Sequence, residues 1–305
     1  VAIRKATSKL DFVGGWRKWF AFSLAVIILG LASIGLGRLN LGIDFTGGAE
    51  FTLNDPGSGV TADQVQEALP AGISGEATAQ RLGNGNFEVT TPPLNQSESA
   101  EARDALSSEF GSEVSVTTVS PTFGGQVRDQ ALQAVGIALA VIVVFISYRF
   151  ELAFAMAAMA ALVHDILVTA GVYALVGREV NLVTVVAVLT VLGYSLYDTV
   201  IIFDRIRENT PEDGYEQSRF DRLVNDSIRQ VITRSIYTSV STLIPILALL
   251  IFGGSTLSDF AFALLIGIVA GTYSSIFIAS PVLSLYKAKR GSRPQREDEP
   301  QPGQV

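Results

Sequence analysis

Residues 182–203 read Leu-Val-Thr-Val-Val-Ala-Val-Leu-Thr-Val-Leu-Gly-Tyr-Ser-Leu-Tyr-Asp-Thr-Val-Ile-Ile-Phe. A helix rises about 1.5 Å per residue, so roughly 20 such residues cross the hydrocarbon core of a bilayer, about 30 Å thick. This stretch therefore reads as a membrane span with one charge in it, Asp198. Working outward, comparable apolar runs occupy 19–38, 130–148, 152–176, 235–252 and 258–286. The expected fold is a polytopic α-helical membrane protein with six transmembrane helices. A composition of 49% hydrophobic and 17% charged residues across 305 positions agrees with that class.

The same composition removes whole classes of chemistry. With no cysteine and only His164 for a histidine, thiol nucleophiles, disulfides, iron–sulfur clusters and sulfur- or histidine-rich metal sites are excluded, and no metal is expected. The chain contains neither GxxxxGK[ST] nor a GxGxxG opening a helix after a strand, so no nucleotide cofactor is expected. A net charge of -7 argues against nucleic acid as a partner.

Cations set the orientation, because Lys and Arg near span ends are retained on the cytoplasmic side. The segment 1–18 carries Arg4, Lys5, Lys9, Arg17 and Lys18; the connection 204–234 carries six arginines; the tail 287–305 carries Lys287, Lys289, Arg290, Arg293 and Arg296. All three are expected inside, with the tail disordered and the connection carrying a short amphipathic helix. The segment 39–129 has three arginines against thirteen acids and is expected outside. The first run is longer than a usual signal-peptide core and no A-x-A site follows it, so it reads as a retained anchor.

The outer segment has the punctuation of a folded domain. A strand is expected over 42–53 and a helix over 61–69 behind the capping box Thr61-x-x-Gln64. Strands over 76–82 and 86–91 meet at Asn84-Gly85, a helix covers 98–110, and a last strand covers 113–119. The order βαββαβ is ferredoxin-like. It has no histidine and no defensible carboxylate pair, so it reads as a binding or mechanical module rather than an enzyme.

Function is sought where polarity is costly, since a charge at mid-bilayer costs about 2.5–3.5 kcal/mol on insertion scales. The candidates are Asp198, flanked by Tyr194, Ser195, Tyr197 and Thr199; Arg234 at the start of the fifth run; and His164 with Asp165 in the third. Asp198 lies six residues before Asp204, about 9 Å in from the span end, and Arg234 begins its span at a similar level. Contact is geometrically open. A carboxyl whose cation partner approaches and withdraws would take up and release a proton, whereas a fixed pair would only position two helices. Neighbouring helical residues point about 100° apart, so His164 and Asp165 are not expected to join in a relay; inter-helix hydrogen bonding is the alternative for each. Arg234, Thr238, Ser241, Thr242 and Pro245 form a polar stripe that should face protein or water, and Gly267-x-x-x-Gly271 permits close helix approach. The aspartates faintly suggest an intramembrane protease, but the GxGD motif is missing.

The stretch Leu192-Gly-Tyr-Ser-Leu-Tyr-Asp-Thr-Val-Ile-Ile-Phe-Asp-Arg-Ile-Arg-Glu-Asn209 resembles the signature of the SecF family of bacterial protein export. Gly42-Ile-Asp-Phe-Thr-Gly-Gly48, Tyr148-Arg-Phe-Glu151, His164-Asp165, Thr233-Arg234 and Thr238-Ser239 resemble SecF segments in the same order. The resemblance implies a half bundle related to the resistance-nodulation-division transporters, in the bacterial plasma membrane with both termini cytoplasmic. It implies a heterodimer with SecD beside the SecYEG channel, the lipid bilayer and a translocating polypeptide as further partners, and the proton motive force as driver of late translocation. Asp198 then matches the proton-carrying aspartate and Arg234 the arginine linked to it. One residue departs: Tyr197 stands where the family usually has Asn. A small-molecule proton exporter of the same superfamily and a passive scaffold subunit are the competing readings.

Overall fold

The structure is a computed structural model that describes residues 10–82, 85–211 and 217–289. Among the described residues, six helices are long and apolar enough to span a membrane. The first, α1 (Trp16–Gly35), leads through the two-residue strand β1 (Asn40–Leu41) and the single turn α2 (Ile43–Thr46) into the outer domain. There follow β2 (Gly48–Asn54), α3 (Ala62–Glu67), α4 (Ala71–Ser74), β3 (Thr78–Arg81), β4 (Phe87–Thr91), α5 (Gln96–Phe110) and β5 (Glu113–Val119). The bundle resumes with α6 (Pro121–Arg149), α7 (Leu152–Val176), the short strand β6 (Glu179–Val180), α8 (Leu182–Asn209), α9 (Gln217–Phe252) and α10 (Gly254–Ser274). A π-helical turn, Ser275–Ala279, joins α10 to α11 (Ser280–Lys289).

Leaving aside β1 and β6, the outer sheet has the antiparallel order β3-β4-β2-β5, the ferredoxin-like arrangement. Its local signals do what their chemistry requires: Thr61 and Asn95 each close a capping box with the residue three positions on, and Gly111 ends α5 in the left-handed conformation. Alternate residues Ala49, Phe51 and Leu53 of β2 and Phe87 and Val89 of β4 point into one core with Val65, Leu69, Ala102 and Leu106. The β3–β4 register is fixed by pairing from Thr78↔Thr90 to Arg81↔Phe87. Asn84 of the expected turn lies outside the described residues.

Three expectations need correction. The strand expected from residue 42 begins at Gly48, because Gly42 to Gly47 closes a helical turn that returns the chain toward the bundle. The connection 204–234 is largely helical: α8 runs on to Asn209, and α9 is one continuous helix of 36 residues starting at Gln217. Phe220, Val224, Ile228 and Ile232 recur at helical spacing and are buried against the bundle, which continues the helix beyond the apolar run. Lys287 to Lys289 finish α11 rather than opening a disordered tail; residues 290–305 lie outside the described residues.

Two contacts position the outer domain. Strand β1 pairs in parallel with β6, and Gly42 N–H donates to Val180 O at 2.8 Å. Gly47 (φ 73°) and Gly48 (φ 144°) then turn the chain where a side chain has no room. A Cβ at Gly47 would fall 2.6 Å from the Pro121 backbone, and one at Gly48 2.3 Å from Thr91 O. Gly48→Ala is therefore expected to destabilise the outer domain by about 1–3 kcal/mol, read as a lower denaturant midpoint and faster proteolysis of that domain. Within the bundle, α10 approaches α8 through Gly267 and Gly271, whose missing Cβ atoms would meet Val191 and Ser195 at 2.4 and 2.7 Å. Gly30 and Gly171 allow an equally close crossing of α1 and α7.

Candidate functional site

Two aspartates are buried in the bundle, and their surroundings differ in kind. Asp165 on α7 is 1% exposed and fully engaged. Its Oδ2 accepts hydrogen bonds from Ser195 Oγ (2.6 Å) and Ser274 Oγ (2.9 Å), and its Oδ1 meets His164 Nδ1 at 3.0 Å. His164 Nε2 reaches Ser23 Oγ at 3.1 Å, and Ser23 Oγ donates to Tyr273 Oη, which donates to Trp19 O. The chain thus links α1, α7, α8 and α10. His164 and Asp165 do meet, against the expectation. Both are sequestered from water, and rotation about their side-chain bonds closes the angle between the two Cα–Cβ directions.

Asp198 on α8 is 2% exposed, and neither of its carboxyl oxygens has a hydrogen-bond partner among the described residues. The hydroxyls of Ser235 and Ser239 on α9 face it. Neither completes a bond: Ser235 Oγ is itself unpartnered among those residues, while Ser239 Oγ is engaged with Ser235 O (2.9 Å) and Thr272 Oγ1 (2.7 Å). The adjacent Thr199 Oγ1 lies 2.8 Å from Ser275 Oγ, the first residue of the π-helical turn. Such turns widen a helix locally and recur at functional positions.

Arg234 does not touch Asp198. Its Nη2 donates to Tyr197 Oη at 3.1 Å on the exposed side of α8 and α9, and Tyr197 itself is 50% exposed. Tyr197, the residue just before the buried aspartate, is thus the one that holds the arginine. Tyr194 Oη lies 3.1 Å from Thr242 Oγ1, and Thr238 donates back to Arg234 O. The stripe on α9 is not covered by the described residues: Arg234, Ser241 and Pro245 are exposed, and Thr238 and Ser241 are satisfied by carbonyls of their own helix. Sequence reasoning missed Ser23, Ser235, Ser274 and Ser275; the adjacent pair Ser274-Ser275 inside an apolar run was the available signal.

Outside the membrane, Glu50 (β2), Glu88 (β4) and Glu179 (β6) bring one carboxylate oxygen each within 4.8 Å of one another. They line a cavity of about 150 Å³ with Asp44, Asn181 and Asp259. Glu179 Oε2 accepts from Thr90 Oγ1 (3.3 Å), Asp44 Oδ2 accepts the Leu182 N–H (2.9 Å), and Arg178 pairs with Asp259 at 2.7 Å. By spacing alone these three glutamates could share a cation, and they could equally share protons. Burial, reinforced by the neighbouring Glu50 and Glu179 charges, pushes Glu88 up to about 8. Burial and the Glu50 charge push Glu179 up to about 7. Burial, with Asp44 next, also raises Glu50.

Acids with raised values bind more protons in the packed form than when separated, so the packing should be strongest at low pH. It should weaken as pH rises from about 4.5 toward about 8, by up to about 1.4 kcal/mol per pH unit for each excess proton. Hydrogen exchange at the β2 and β4 amides across that range checks this, and Glu88→Gln should remove the slope between about pH 7 and 8 while leaving the share of Glu179 and Glu50 below it.

The comparisons with known proteins fall on these same segments. The family of SecD/SecF protein export membrane proteins, C-terminal, matches residues 101–289, and the SecD/SecF GG motif matches 32–54, which contains Gly47 and Gly48. The protein translocase subunit SecF of Desulfurispirillum indicum is 41% identical over 88% of this chain and 89% of its own length. The chain belongs to the SecF family. The SecF subunit of Streptomyces coelicolor is 36% identical over 90% of the chain and 76% of its own. The crystal structure of SecDF from Thermus thermophilus, described as a translocon-associated membrane protein, superposes with a TM-score of 0.82 at 36% identity. That match covers 92% of this SecF-family chain and 39% of the SecDF chain.

Proposed function

We propose that this SecF-family protein is a subunit of the Sec export machinery that works with SecD beside the SecYEG channel. It converts the proton motive force into movement that promotes the late steps of polypeptide translocation. Asp198 carries the proton and Arg234 governs its release; the bilayer is the bacterial plasma membrane, with both termini cytoplasmic. No catalytic chemistry is assigned.

The carrying observation is a buried intramembrane carboxyl with neither oxygen bonded among the described residues, one residue along from the tyrosine that holds Arg234. An ionised carboxylate without a partner is costly in low dielectric, so a proton is the least expensive way to keep this side chain buried. When Arg234 leaves Tyr197 and turns toward Asp198, the charged form becomes favoured and the proton leaves. Asp165, saturated by three side-chain partners, holds the helices while this happens.

The outer domain is attached where such a change would be felt. The α7–α8 link pairs with β1, and the first amide of α8 donates to Asp44. Displacement of α8 is thus delivered to the outer sheet through a short, hydrogen-bonded strap. The exposed polar stripe on α9 fits a partner helix or a water-filled seam, which supports SecD as the neighbour.

The test is export in cells lacking their own SecF and supplied with this chain plus its SecD. Restored secretion that falls when the proton gradient is collapsed supports the reading. Restored secretion insensitive to the gradient favours a passive scaffold, and small-molecule efflux without secretion favours an exporter.

A further inference from the structure

A second site stands at the opposite end of the bundle from the outer domain. The ends of α6, α7, α8 and α11 enclose a half-open cavity of about 450 Å³ lined by Arg149, Phe150, Glu151, Arg207, Thr210 and Lys287 among others. Three cations and one carboxylate give the lining a surplus of two positive charges. The two arginines are only partly engaged by the described residues. Arg149 reaches Asp204 at 3.7 Å and Lys287 reaches Glu151 at 3.2 Å, whereas Arg207 donates to the Arg149 carbonyl at 3.2 Å and has no acidic partner among the described residues. The first turn of α7 lines the same cavity and has no side-chain cap, so its amide groups add partial positive charge.

The cavity sits where helices leave the hydrocarbon. Tyr148, 92% exposed beside it, has the amphipathic character of an interfacial residue. Val141, Val144, Phe145 and Tyr148 recur at helical spacing and are all exposed, an apolar track running along α6 to the cavity mouth. We propose that this cavity binds a phosphate group, that of an anionic membrane phospholipid: the headgroup enters between Arg149, Arg207 and Lys287, and an acyl chain lies along the α6 track. Zwitterionic headgroups would bring an ammonium into a positive site and are disfavoured.

The experiment is native mass spectrometry of the full chain released from nanodiscs containing phosphatidylglycerol or phosphatidylcholine, with inorganic phosphate as competitor. The expected result is one retained phosphatidylglycerol per chain, with a preference of about tenfold over phosphatidylcholine. Arg207→Gln should abolish the preference, and Glu151→Gln, which removes the opposing carboxylate, should strengthen it. Changes of opposite sign cannot both come from loss of fold. Equal retention of the two lipids, or a preference that neither substitution moves, overturns the proposal. Displacement by inorganic phosphate at comparable affinity overturns the lipid assignment in favour of a soluble anion.

Discussion

Asp198→Asn is expected to reduce gradient-driven export to the level seen when the proton gradient is collapsed, with normal amounts of folded, inserted protein. The two properties separate because of the local bonding. Asn is nearly the same size as Asp, and since neither Asp198 oxygen accepts a hydrogen bond from the described residues, the substitution removes none of theirs. Stability should change by less than about 1 kcal/mol. What disappears is the ability to alternate between neutral and charged forms, and Arg234 loses its reason to leave Tyr197. Export rates into inverted vesicles, with and without a gradient, together with a thermal melt of the purified variant, measure both quantities. Undiminished gradient-dependent export would remove Asp198 from the mechanism.

Asp165→Ala should do the reverse. Three side chains from three helices, His164, Ser195 and Ser274, converge on that carboxyl; truncation strips Ser195 Oγ and His164 Nδ1 of this partner in an apolar interior and leaves Ser274 Oγ only the Gly271 carbonyl. A loss on the order of 3 kcal/mol is expected, seen as a lower melting temperature and reduced accumulation. Asp165→Asn keeps an acceptor and should lose clearly less. If Asp165→Ala is as stable as the parent protein while abolishing proton dependence, then Asp165 is the proton carrier and Asp198 the structural acid.

The bundle was legible because apolar runs of spanning length are rare outside membranes, and the outer domain because the capping box at Thr61 is a local signal; the box at Asn95, which starts α5 at Gln96 rather than at 98, went unread. Asp198 was legible because the cost of a buried charge depends on its own depth. The relations between distant segments were not. Glu50, Glu88 and Glu179 each read as an ordinary surface acid, since nothing within a few residues of any of them reports that β2, β4 and the α7–α8 link converge. The strap itself is two residues paired with two, too short for any periodicity. Similar depths allowed Asp198 and Arg234 to meet, but depth says nothing about the rotation of α9 about its axis. That rotation buries Ser235 and Ser239 and turns Arg234 outward to Tyr197. The continuous helix α9 was hidden because its first half is amphipathic rather than apolar, and only packing of Phe220, Val224 and Ile228 against the bundle carries it through.

The proton on Asp198 is observed directly by infrared difference spectroscopy of the SecF–SecD complex across a pH titration. A protonated-carboxyl band that disappears as pH rises and is missing from Asp198→Asn is the expected result. A band unchanged across the accessible pH range, or one that persists in that variant, would contradict it.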